Sequence, residues 1–280
     1  MRRRRLSWLP AAVLALLWSG PVHAQATAAS PQPEPERSDP DVLVDPLQPD
    51  FALAALPTTL RMPAGKWAFR VTHRFTRPLG QGDFGDLLGD AFGLDGGAQI
   101  GLELRYGLIP GTQIGVHRTS DRTIQIFGQH SILSDRDHPF ALDAYATLEG
   151  TNNLRDRHQS TLGALVSRKF GRYAVLYAEP LVALNSSPFE FGDSHSLLLG
   201  LGGRLRVRPS IYIVGEITPR LAGFDPGAEQ MSFGIEARAG GHLFQLNFSN
   251  GFGTTFGQLA RGGFTYDDWY LGFNIARKFF

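Results

Sequence analysis

Between Gly97 and Arg118 the chain reads GAQIGLELRYGLIPGTQIGVHR, and this stretch limits the folds open to it more than any other. Ile100, Leu102, Leu104, Tyr106 and Leu108 alternate with Gly101, Glu103, Arg105 and Gly107, the two-residue period of a strand with one apolar and one polar face. Ile-Pro-Gly-Thr then turns the chain, and Gln113–Arg118 returns with Ile114 and Val116 on the apolar side. Hairpins of the same design recur as far as Phe280, with charges in mid-strand opposite apolar side chains. A transmembrane β-barrel turns one strand face to lipid and the other to a polar interior, and so accounts for both features.

The expected fold is therefore all-β: an antiparallel up-and-down barrel of about 12 strands. The candidates are 66–76, 98–107, 112–119, 122–132, 140–149, 160–170, 173–184, 196–207, 210–218, 231–239, 242–249 and 268–280. Their lengths suit a tilted crossing of the bilayer. With a periplasmic N-terminus, the connections on that side (IPG, SDRDHP, GR, RPS, GG) are short and those opposite are long. Ser120-Asp121 is the exception, a short connection on the long-loop side, which leaves counts of 10 or 14 open.

The first 24 residues, an arginine cluster, an apolar core and Val22-His23-Ala24, read as a Sec-type signal peptide. The address expected is the outer membrane of a Gram-negative bacterium. Removing the signal takes away four arginines and leaves 23 basic against 26 acidic residues, a formal −3 that offers no footprint for nucleic acid. The absence of cysteine excludes a lipobox, a disulfide framework and thiolate metal sites. No cofactor is expected.

Three domains follow: the signal peptide over 1–24, a Pro-rich flexible periplasmic segment over 25–62, and the barrel over 63–280. Within the second, FALAALPTTLRM (Phe51–Met62) is too apolar for a free tail, so docking against or into the barrel is the alternative. In the first long loop, Phe84, Leu87, Leu88, Ala91 and Phe92 stand at helical spacing, fitting a capped, solvated helix or an inward constriction. At the C-terminus, Phe280 falls on the polar face of its strand while Phe279 continues the apolar one, which predicts a bulge or altered docking there.

The polar face carries Arg70, Arg74, Glu103, Arg105, His117, Asp143, Glu179, Arg204, Arg206, Glu216, Glu236 and Arg238, the candidates for lining a lumen. Charges of both signs fit either a narrow channel for small polar solutes or ions, or ion pairs that fill a closed barrel serving as an anchor or interaction surface. A third reading, an outer-membrane lipid hydrolase, rests on His158 and Ser160 with Asn152 and Asn153 nearby. The expected partners are outer-membrane lipid, the barrel-insertion machinery acting on the C-terminal strand, and small polar solutes or ions. Tyr145, Tyr177 and Tyr212 on the lumen face allow a sugar slide, whereas Trp67, Phe140, Phe170, Tyr173, Trp269 and Phe279 near strand ends suit interfacial girdles.

The segments LPTTLRMPAG, FRVTHRFTRPLG, GLDGGAQIGLELRYGLIPGTQIGVHRTSDRTIQIFGQ and the Phe-Phe end together resemble a family of bacterial outer-membrane β-barrel proteins of unknown function. The resemblance spans roughly Pro57–Phe280 and implies a barrel and its address, with no catalytic residues to transfer.

Overall fold

The computed structural model describes residues 45–187, 195–225 and 227–280; the signal peptide expected over 1–24 and residues 25–44 lie outside them. In chain order the strands are β1 (Trp67–Pro78), β2 (Ala98–Ile109), β3 (Thr112–Thr119), β4 (Ile124–Leu133), β5 (Ala141–Gly150), β6 (Asp156–Phe170) and β7 (Ala174–Leu184). They continue with β8 (Ser196–Arg208), β9 (Ile211–Thr218), β10 (Arg220–Gly223), β11 (Gln230–Ala239), β12 (His242–Ser249) and β13 (Tyr270–Phe279). Every pairing is antiparallel, and β13 pairs with β1 to close the wall. The short β10 runs on from β9 beyond Pro219 and pairs, like β9, with β8. The barrel is therefore closed by 12 staves.

Alternation decides which way each residue points. In β2, Leu102 and Leu104 are 46% and 45% exposed on the outer wall, whereas Arg105 is 2% exposed inside. Ile213, Ile235 and Leu246 continue the outer apolar band across β9, β11 and β12. A continuous apolar band of this kind matches a hydrocarbon surround.

One end of the barrel, here the turn end, carries the tight connections 110–111, 171–173, 209–210 and 240–241, and the other, the loop end, carries 79–97 and 250–269. Ser120–Thr123 is the short connection at the loop end, as its sequence indicates. Trp67, Phe140, Phe170, Tyr173 and Phe279 ring the turn end, and the Trp67 and Phe279 rings stack 3.7 Å apart. Register between β1 and β13 is regular up to Trp67↔Phe279, so the bulge expected at the C-terminus is absent; the irregularity lies between Arg74 and Pro78. Phe280 keeps its inward face and packs beside Phe51, Leu60 and Met62.

The first long loop contains α1 (Phe84–Gly89), capped by reciprocal bonds between Asp83 and Asp86. Phe84 and Leu88 are exposed and no residue of the helix is buried, so α1 is a solvated loop helix and not a constriction.

Candidate functional site

The lumen is filled by the chain itself. Residues 45–62 enter from the turn end, reverse at Leu53–Leu56, and return to join β1. The reversal is closed by Leu53 N–H donating to the Leu56 carbonyl (2.7 Å) and Thr58 N–H to the Phe51 carbonyl (2.8 Å), with a bridge between Ala52 and Pro57. Phe51, Leu53, Leu56, Leu60 and Met62 are all buried. The flexible segment expected over 25–62 is thus, for residues 45–62, an ordered plug, and the docking alternative for Phe51–Met62 holds. Its apolar side chains reach water-free partners only inside, where Leu53 and Leu56 join Leu165, Val175, Leu181, Leu198 and Val214 in one core.

The polar wall binds the backbone of the plug. Glu216 accepts from the main-chain N–H groups of Ala54, Ala55 and Leu56 at 2.9–3.1 Å. Arg70 donates to the carbonyls of Leu53 (2.6 Å) and Ala54 (3.1 Å), Arg74 and Asn274 to that of Ala54 (3.2 and 3.1 Å), and Arg204 to that of Ala52 (2.9 Å). Gln245, Gln129 and Gln113 donate to the carbonyls of Leu53, Thr58 and Leu60. A tight reversal leaves its N–H and C=O groups without strand partners, and each would be costly to bury unpaired. The inward charges and amides supply the missing partners.

The wall is also adjusted in shape. A Cβ at Gly202 would collide with the Leu53 side chain, so the Leu-Gly-Leu-Gly-Gly run of β8 leaves room for the plug.

A second filling comes from the loop end. There α3 (Phe256–Ala260) folds inward, burying Phe256, Leu259 and Ala260 in the same core that holds Leu53. Phe256 N–H donates to Gln125 (2.8 Å), Gly257 N–H to Glu149 (2.9 Å), and the Gln258 amide to Asp121 (3.0 Å).

Of the residues expected to line a lumen, the structure buries Arg70, Arg74, Arg105, His117, Asp143, Glu179, Arg204, Glu216 and Glu236 inside the barrel. Arg204 is paired with Glu236 at 2.6 and 2.9 Å, and Arg105 with Glu103 at 3.0 and 3.1 Å. Arg105 also lies 5.1 Å over the Phe51 ring of the plug. Asp143 accepts from Gln129 (2.6 Å), while the Glu179 carboxyl is fully buried with no hydrogen-bond partner among the described residues. Arg206 and Arg238 stand apart, near the turn end of β8 and β11. Sequence reasoning missed the uncharged donors Gln113, Gln129, Gln245 and Asn274, although their inward parity was readable.

The three tyrosines are structural. Tyr145 packs on Phe127 and Phe256, Tyr177 donates to Gln48 (3.0 Å), and Tyr212 to the Pro46 carbonyl (2.8 Å). At the hydrolase candidate, His158 Nε2 is 2.9 Å from the Leu154 carbonyl. Asn152 bonds Asp156 (2.9 Å), and Asn153 lies 3.4 Å from Arg118. Among the described residues no group of three His, Asp or Glu is placed to hold a metal ion.

By structure the chain is similar to the NanC porin, with a TM-score of 0.51 at 6% identity over 77% of this chain and 100% of that one. It is also similar to a mutant of the Rh. blastica porin, with a TM-score of 0.35 at 12% identity over 65% of this chain and 55% of that one. The chain thus spans about half the length of the Rh. blastica protein. No curated protein matches it by sequence. A family described as a membrane bound beta barrel domain (DUF5777) matches residues 50–279, a span that begins within the plug and not at β1. With its closed wall, lipid-facing exterior and matched span, the chain belongs to this membrane-bound β-barrel family.

Proposed function

We propose that the protein is an outer-membrane β-barrel, short turns to the periplasm and long loops outward, whose lumen is closed at rest by its own chain. It would act as a membrane-embedded platform that presents its outer loops. The observation carrying this reading is the shared core in which Leu53 and Leu56, entering from one end, pack with Phe256 and Leu259 from the other. An aqueous path would have to cross that core. The test is conductance of the mature protein, residues 25–280, in a planar bilayer. Insertion without conductance, alongside heat-modifiable barrel mobility, is expected; stable steps from the untreated protein would overturn the closed reading.

A second reading, a narrow channel for small polar solutes that opens when residues 45–62 withdraw, draws on a different observation. The wall holds the plug mainly through charged and amide side chains such as Arg70, Arg74, Glu216, Gln245 and Asn274, which water would solvate if the plug left. The likeness of the fold to the NanC porin is compatible with it. A variant lacking residues 45–62 that inserts and conducts, where the full protein is silent, is the result this reading requires.

A further inference from the structure

Four arginines gather on one arc of the turn end: Arg168 on β6, Arg172 in the β6–β7 turn, and Arg206 and Arg208 at the end of β8. Among the described residues none of the four is in an ion pair with a carboxylate. The acids close by, Asp45 and Asp135, are both engaged by Lys169. Between the two turns lies a groove of about 300 Å³ lined by Arg172, Tyr173, Arg206, Val207, Arg208 and Pro209. Arg206 is pinned at its edge by donating to the Pro209 carbonyl at 3.1 and 3.3 Å. Arg172 lies 5.1 Å over the Tyr173 ring and Arg168 5.6 Å over the Phe170 ring.

The groove opens onto the lipid-facing wall, where Leu176, Leu205 and Val207 are 52%, 45% and 48% exposed. Elsewhere on the same rim, Leu108, Ile109 and Ile132 are exposed. Unpaired guanidinium groups at the aromatic girdle, set directly above apolar wall, call for a partner that is anionic at one end and hydrocarbon at the other. Guanidinium forks match phosphate oxygens in pairs. We propose that this arc is a binding site for an anionic phospholipid, its phosphate among Arg172, Arg206 and Arg208 and its acyl chains along β7 and β8. The site rests on the membrane-embedded barrel alone and is independent of whether the lumen opens.

The experiment is native mass spectrometry of the mature protein released from nanodiscs of phosphatidylcholine mixed with cardiolipin. The protein is expected to retain cardiolipin in preference to phosphatidylcholine. Two basic groups at the membrane surface are worth about tenfold or more in retention, so Arg172→Gln with Arg208→Gln should lose it by about that factor. Arg155→Gln, at the loop end, should retain it unchanged. Both variants carry exposed substitutions, and heat-modifiable mobility verifies their fold. Equal retention of the two lipids, or undiminished cardiolipin on the double variant, overturns the proposal. Complete displacement by glycerol 3-phosphate would also overturn it, since the apolar wall would then contribute nothing.

Discussion

The hydroxyl oxygens of Thr59 and Ser167 lie 2.5 Å apart, one on the plug and the other on the inner face of β6. Because the native chain has no cysteine, this pair gives a clean probe of whether the plug is seated. Thr59→Cys with Ser167→Cys should oxidise to a disulfide, whose sulfurs sit about 2.0 Å apart. Intact mass and gel mobility after mild oxidation report it; free thiols in the folded barrel would mean that the plug does not occupy this position.

Glu216 holds three main-chain N–H groups of the reversal, so it should control how firmly the plug tip stays in place. Glu216→Ala leaves those donors buried without an acceptor, at about 1–3 kcal/mol for each that finds no water. Hydrogen exchange at Ala54–Leu56 should accelerate strongly while the β3–β4 pairing, which Glu216 does not touch, stays protected. Unchanged exchange at the tip would show that Glu216 is not its anchor.

Arg204 and Arg206 are two positions apart on β8 and should behave oppositely. Arg204→Ala strands the buried Glu236 carboxylate and releases the Ala52 carbonyl, which should cost about 3–5 kcal/mol in barrel stability. Arg206, half-exposed at the rim, should tolerate the same change within about 0.5 kcal/mol. Urea unfolding from lipid vesicles separates the two, and equal losses would contradict the burial pattern.

On the outer wall, Ile235→Arg should cost about 2–4 kcal/mol if Ile235 lies near the bilayer midplane. Ile235 is 52% exposed between Ile213 and Leu246, so its outward side is left to lipid. Unaltered folding into bilayers would refute the facing assigned to β11.

The Thr119–Thr123 turn, which Asp121 ties together, should loosen in acid. Burial alone would raise the Asp121 carboxyl, but bonds from the Thr119 hydroxyl (2.5 Å) and the Thr123 N–H (3.0 Å) outweigh it and hold the group below the usual carboxylate range. The stabilisation is therefore present at and above the ordinary carboxylate pKa, and is lost as pH falls through the lowered value. Exchange at the Thr123 N–H should stay slow in mild acid and rise only in stronger acid, and Asp121→Asn should abolish that step. A step that persists in Asp121→Asn would assign it to another group.

The wall was legible because a strand declares its two faces locally: Ile100 to Leu108 show the alternation without reference to any other segment. Each expected strand is present, and the polar parity placed Arg70, Arg204 and Glu216 inside. What fills the barrel was less legible, since Arg204 meets Glu236 and Ala52 only after β8, β11 and the plug are brought together. Main-chain groups at 52–58 have no side-chain signature, so nothing in the sequence names them as partners. The apolar run FALAALPTTLRM was the available sign. Helical spacing pointed to the first long loop, yet the inward helix is α3, whose Phe256, Leu259 and Ala260 form a shorter stripe of the same kind.

The plug touches the two strands that meet at the closing seam. Arg70 and Arg74 of β1 and Asn274 and Lys278 of β13 all bond to residues 49–54, and Phe280 rests beside Phe51. In a barrel wall, this joint is the one that must form between the barrel's first and last strands. The plug therefore works as a clasp across it: seating residues 49–54 and joining β1 to β13 reinforce each other, so the strand that closes the barrel is fastened by a segment that precedes the strand that opens it.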